Sequence, residues 1–219
     1  MNENSPLPQG IFRTYDIRGI VDEDLTPDRI RQIGLGLGQH LAEDSAKSIV
    51  VGHDVRESSP EFAAALTEGI CSAGLDVIEI HEVPTPVLYW AVKHLNCDGG
   101  VMITGSHNPI NYNGLKITRG LYPIWGDELQ VLYGKCQLAT PSSTIGTRSS
   151  KDIMSEYLDS RVERFSFPAG LKVAIDCGNG TAGPVILPLF ERLGIEVDAL
   201  YPEPDATFPN HLPDPEVPK

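Results

Sequence analysis

Short apolar runs alternate with amphipathic stretches over the first hundred residues, and that alternation restricts the fold more than any other feature. The run at 48–52 (SIVVG) has the length and β-branched content of a buried strand. Ser58, Ser59 and Pro60 follow as a helix start, a hydroxyl cap with proline at the first helical position. Phe62, Leu66 and Ile70 then recur every four residues as one apolar stripe, which Gly74 ends. Residues 76–80 (DVIEI) read as the next strand, Pro86 opens a helix to about Leu95, and 100–104 (GVMIT) read as another buried strand. Upstream, Thr26 and Pro27 cap a helix carrying Ile30, Ile33, Leu37 and Leu41. Its glycines, Gly34, Gly36 and Gly38, could suggest a phosphate loop, but their place in a helical stripe favours close helix packing. Strands alternating with helices predict an α/β fold: a mixed, mainly parallel sheet with helices on both faces. Ligands of such sheets bind beyond the carboxyl ends of the strands, which directs attention to the loop after Thr104.

The later sequence is organised differently. Residues 141–150, rich in Ser and Thr, read as a linker between a first domain at 1–140 and a second segment at 151–219. A helix is expected over 151–165, then a strand at 171–176 (LKVAID), a turn at 177–183 (CGNGTAG), a helix to about Arg192 and a strand at 195–200. CGNGTAG lacks the spacing of a dinucleotide loop and reads as a strand-to-helix turn. Prolines crowd residues 201–219, and so few residues follow the linker that the second segment reads as the truncated start of a second, similar α/β domain.

Charge and cysteine content narrow the function. The net charge of −13 disfavours nucleic acid or an anionic membrane as partner, since both need an electropositive face. An anionic small substrate needs only local cations, for which Arg13, Arg18, Lys116 and Arg119 are candidates. No stretch approaches the ~18 apolar residues of a membrane helix, and the polar start at 1–9 does not resemble a secretory signal. Cys71, Cys97, Cys136 and Cys177 fit no zinc or redox spacing and read as reduced structural thiols, which points to a cytoplasmic setting.

The segment 104–116 reads TGSHNPINYNGLK. Gly105 allows a sharp turn that exposes the Ser106 hydroxyl. Asn108 and Pro109 can start a helical turn whose open amides favour an anion. His107 adjoins the serine, Gly114 permits another turn, and Lys116 returns at the start of a strand. Such a set suits a serine that carries a phosphoryl group, which adds about −1.5 to −2 charges. It equally suits a polar turn with no chemistry, because Ser, Asn, Pro and Gly are common turn formers. A Ser–His hydrolase pair fits poorly, since neighbours in sequence rarely point at each other and no G-x-S-x-G elbow is present.

The combination of TGSHNP, YNGLKI and FRTYDIRGIV (12–21) resembles the α-D-phosphohexomutases, most nearly their bacterial phosphomannomutase/phosphoglucomutase branch. Further likeness lies in VGHDVRESSPEF (51–62), VPTPVLYWAV (83–92), VAIDCGNGTAG (173–183) and FPNHLPDPEVP (208–218), in the family's order. The resemblance implies a hexose phosphate substrate and a phosphoryl group passed between Ser106 and the sugar through a bisphosphorylated intermediate. It implies that Ser106, His107 and Lys116 are catalytic, with Lys116 a general acid or base, and that Tyr15, Arg18 and Asn108 bind substrate. It further implies Mg²⁺, held by an oxygen of the Ser106 phosphate and three aspartates of a D-G-D-G-D-R loop. No D-x-D-x-D occurs in these 219 residues, so on this reading the chain alone neither binds Mg²⁺ tightly nor turns over substrate. Alternatives of other kinds are a non-catalytic sugar-phosphate-binding module, a phosphatase, or a phosphoglucosamine mutase, whose FGTDGIRG and A-S-H-N-P patterns differ from those here.

Overall fold

The computed structural model describes residues 6–214 and 216; the ends of the polar start and of FPNHLPDPEVP lie outside the described residues. After a 3-10 turn at Gln9–Ile11 come β1 (Ile17–Ile20), α1 (Pro27–Ala42), β2 (Ser48–His53), α2 (Ser59–Ser72), β3 (Asp76–Glu82), α3 (Thr85–His94) and β4 (Gly99–Ile103). They are followed by β5 (Tyr112–Arg119), β6 (Tyr122–Pro123), α4 (Asp127–Leu138) and β7 (Arg148–Ser150). Then come α5 (Met154–Val162), β8 (Lys172–Asp176), α6 (Gly183–Arg192) and β9 (Glu196–Leu200).

Seven strands form one mixed sheet in the order β1-β5-β4-β2-β3-β7, with β6 on β5. The strands β4, β2, β3 and β7 run parallel, and β5 turns antiparallel against both β4 and β1. Side chains alternate across the pleat. Ile49, Val51, Val101 and Ile103 therefore join one core under α1, α2 and α4, while Val50 and Met102 join a second core with α3 and α5. That two-faced burial explains why β2 and β4 are apolar without interruption. Two parallel strands, β8 and β9, form a separate sheet.

The helix-cap expectations split. The Thr26 hydroxyl accepts from the Arg29 amide at 3.4 Å, as read from sequence. Ser58 precedes α2 but caps nothing; its hydroxyl accepts from Asn113 instead. The glycines of α1 are packing residues. A β-carbon on Gly34 would lie 2.4 Å from the Leu66 carbonyl oxygen, one on Gly36 2.6 Å from Cys136, and one on Gly38 2.5 Å from Ala73. Within the segment read as a linker, Arg148–Ser150 adds to β3 as an edge strand. Lys151 continues it by donating its amide to Glu79, and the helix expected from 151 begins at Met154. Trp90 of α3 then meets Tyr157 of α5 edge-on at 5.5 Å. The four cysteines are unpaired.

Two consequences are measurable. Gly34→Ala should destabilise the chain by about 1–3 kcal/mol, because a backbone carbonyl must move; an unchanged denaturation midpoint would contradict the close α1–α2 approach. Burial pushes the Cys136 thiol up to about 12. The unfolded chain ionises this thiol near 8.5 and the folded chain does not. Stability should therefore decline as pH rises from about 8.5 towards that value, and a Cys136→Ala variant should show a shallower decline in denaturant titrations.

Candidate functional site

The parallel strands β2 and β4 end side by side, so the loops after His53 and Ile103 meet at one end of the sheet. Asp54 fixes that meeting. Its Oδ2 accepts from the Gly105 amide at 3.0 Å, and its Oδ1 accepts from the Arg56 amide at 3.0 Å and the Ser59 hydroxyl at 2.6 Å. Arg56, 2% exposed, lies inside the serine loop. Its Nη1 donates to the carbonyls of Pro109, Ile110 and Tyr112 at 2.6, 3.2 and 2.9 Å. Its Nη2 donates to those of Ser106 and Asn108 at 3.0 and 2.6 Å. Burial lowers the pKa of this guanidinium, against the pull of Asp54, with Arg18 also lowering it. Gly105 makes room for it, since a β-carbon there would sit 2.1 Å from Arg56 Nε.

The loop consists of turns rather than the start of a helix. The Asn108 amide donates to Gly105 and the Tyr112 amide to Pro109. The amides expected to be open to an anion are partly occupied: Gly105 by Asp54, Ser106 by the Thr104 hydroxyl at 2.8 Å, and Asn108 by Gly105. The reason is that the loop's carbonyls turn inward to Arg56. Gly114 is likewise not at a turn. It lies inside β5, where a β-carbon would be 2.3 Å from the Ile17 carbonyl oxygen of β1, and Lys116 is mid-strand.

Ser106 itself is exposed, with the left-handed φ of 53° that few residues other than glycine adopt. Its hydroxyl lies 3.4 Å from His107 Nδ1, so these neighbours do face each other, at the outer limit of a hydrogen bond. The serine opens on a cleft of about 850 Å³ shared by Asp54, Asp176, Gly178, Phe208 and His211. Across the cleft His211 pairs with Asp176 at 3.1 Å.

Arg18 and Lys116 join through Asp16, which no sequence signal singled out. Its Oδ2 accepts from Arg18 at 2.5 Å and from Lys116 at 3.2 Å, and Arg18 Nη1 reaches the Gly105 carbonyl at 3.4 Å. Asn108 also donates its side-chain amide to that carbonyl, at 3.1 Å. Tyr15 stands apart from the serine. It is 72% exposed, stacks on Trp125 at 6.3 Å, and lines a second cavity of about 470 Å³ with Lys116 and Tyr89. Arg13 is exposed, and its amide donates to the Asp16 carbonyl at 3.0 Å. Arg119 is not a site cation. It pairs with Gly99 at the opposite end of β4 and binds Asp44 and Glu128.

Metal chemistry has little to work with here. Mg²⁺ takes about six oxygens, and among the described residues no three His, Cys, Asp or Glu side chains group as a metal site. Asp54 is committed to the loop and Asp176 to His211. The described residues therefore do not by themselves fit the ion.

Arg56→Lys should loosen the serine loop, because one ammonium with three donors cannot reach five carbonyls. Unsatisfied buried carbonyls cost about 1–3 kcal/mol each. Hydrogen exchange at 105–112 should therefore quicken by at least tenfold, and unchanged exchange would show that Arg56 does not hold the loop.

Comparison with known proteins agrees with this architecture. Residues 9–124 match the family described as phosphoglucomutase/phosphomannomutase, alpha/beta/alpha domain I, and residues 155–219 match its domain II. The chain is 39% identical over 213 residues to a phosphomannomutase/phosphoglucomutase of Pseudomonas aeruginosa, covering 97% of this chain and 46% of that protein. It is 39% identical to a phosphoglucomutase of Neisseria meningitidis, covering 97% of this chain and 47% of that one. A solved phosphoglucomutase/phosphomannomutase family protein from Burkholderia thailandensis superposes with a TM-score of 0.90 at 37% identity, over 95% of this chain and 47% of that chain. The chain thus spans about half the length of the curated relatives it matches. With both domains matched in order and the fold shared, this chain belongs to the phosphoglucomutase/phosphomannomutase family.

Proposed function

We propose that the protein containing this chain is a phosphohexomutase that interconverts hexose 1-phosphate and hexose 6-phosphate, with Ser106 as the residue that carries the phosphoryl group. The bond from phosphorus to Ser106 Oγ breaks as one to a sugar hydroxyl forms, giving a bisphosphorylated sugar. The reverse step returns the other phosphoryl group to Ser106. One observation above all supports the reading: an exposed serine hydroxyl in left-handed backbone, on a loop whose carbonyls are gathered by a buried arginine.

The residues divide the work by charge. Lys116 acts as general acid or base beside the transferred phosphoryl, and its ammonium offsets phosphate charge. Asp16 orients that ammonium and Arg18 together. His107 contacts the serine hydroxyl, Asn108 braces the turn, and Tyr15 offers its ring to the sugar from the adjoining cavity. Phosphoryl transfer depends chiefly on positioning and charge stabilisation, for which a rigid loop is suited. Mg²⁺ enters this reading through the family resemblance, with the Ser106 phosphate supplying one oxygen and further ligands required beyond those described. On the same reading residues 1–140 are the phosphoserine domain, 141–150 a connection, and 151–219 part of a second domain. Unpaired cysteines fit a cytoplasmic setting.

In the protein as the cell makes it, intact-mass measurement should find one phosphate on Ser106. Ser106→Ala should lower isomerisation of glucose or mannose phosphates by roughly 10³-fold or more. Full activity in that variant would end the proposal.

A further inference from the structure

The second half of the chain sets an aromatic ring against Arg56, the arginine inside the serine loop. Asn179 of the CGNGTAG turn is 6% exposed and has a φ of 57°. It organises the segment that follows β9. Its amide donates to the Tyr201 carbonyl and its carbonyl accepts from the Asp205 amide. Its side chain donates to the Glu203 carbonyl and accepts from Asn210, at 2.9 and 2.8 Å. Asp205 closes a turn by accepting from the Thr207 amide and hydroxyl, and its carbonyl accepts from the Phe208 amide. These bonds hold Phe208 at a φ of 47°. A bulky side chain adopts that conformation at a cost of about 1–3 kcal/mol, so the surrounding bonds must impose it. The result is that Phe208 is buried with its ring over Arg56, 5.7 Å from ring centre to guanidinium carbon.

The placement has a physical use. Among the described residues every Nη hydrogen bond of Arg56 goes to the serine loop, while its buried Nε has no hydrogen-bond partner and lies 3.5 Å from the Asp54 carboxylate. Once water is removed, an electron-rich surface beside a guanidinium stabilises its charge. An aromatic ring supplies that surface, most strongly when the pair is desolvated. Leucine of similar volume would exclude water but offer no such surface. Phe208 also lines the Ser106 cleft, so this contact sits where the two halves of the chain meet.

We propose that Phe208 is a positioning residue for the serine loop: its ring caps the Arg56 guanidinium and so couples the Asn179-organised segment to the conformation of Ser106. Its catalytic significance rests on Ser106 as the phosphoryl carrier, but the coupling itself is independent of any turnover. The test therefore needs no substrate. In NMR of the arginine-labelled whole protein that contains this chain, the Arg56 side-chain protons should be shifted upfield by the ring current, and Phe208→Leu should abolish that shift. Amide exchange at 107–112 should quicken about tenfold in Phe208→Leu, equivalent to about 1.4 kcal/mol, while exchange within α1 stays unchanged. Phe208→Tyr, which keeps the ring, should restore both signals. An Arg56 signal without ring-current shift overturns the proposal. So does loop exchange that is unchanged in Phe208→Leu, quickens equally in Phe208→Tyr, or quickens together with that of α1. A negative result here leaves the Ser106 assignment standing, and a negative mass or activity result for Ser106 leaves the ring–guanidinium coupling standing.

Discussion

A single buried guanidinium decides the shape of the candidate site. Arg56 brings the carbonyls of Ser106, Asn108, Pro109, Ile110 and Tyr112 to one point, and no neutral side chain offers donors in a comparable fork. Two results follow. The loop turns its carbonyls inward, and the Ser106 hydroxyl is left on the outside at the cleft. Asp54 completes the arrangement by holding the arginine's own amide and the Gly105 amide with separate oxygens. The loop is thus tied to the end of β2 as well as to its own strand, β4.

Electrostatics adds a second layer. The chain as a whole is strongly acidic, yet Arg18 and Lys116 converge beside the serine loop. Asp16 lets them do so, because two cations sharing one carboxylate repel each other less than two left bare. The antiparallel entry of β5 makes this possible in the fold. It carries Lys116 back alongside β4 and pairs with β1, whose Arg18 lies opposite Gly114. In a purely parallel sheet the chain would need a crossover connection before it could come back beside that loop.

Much of the scaffold was legible because its signals are local. The apolar runs of β2, β3 and β4, the Thr26 cap and the glycine stripe of α1 all express periodicity or backbone sterics that neighbouring residues determine. The serine loop was legible as a place, by its position after a buried strand. Its internal wiring was not, because Arg56 lies about fifty residues upstream and arginine in a polar stretch ordinarily reads as a solvated charge. Arg119 misled for the converse reason: it follows the motif in sequence, but an extended strand carries it to the far end of the sheet. Short strands such as β1, and α4 with its glycine N-cap, gave too little pattern to register.

The edge strand β7 has a mechanical consequence. Because Arg148–Ser150 is clipped to β3 and the Lys151 amide to Glu79, only two residues, Asp152 and Ile153, separate that clip from α5. So short a tether acts as a strut rather than a swivel. Swinging α5 away from the first sheet would demand unzipping β7 from β3 or parting Trp90 from Tyr157, so pairing at that sheet edge resists widening of the mouth facing Ser106.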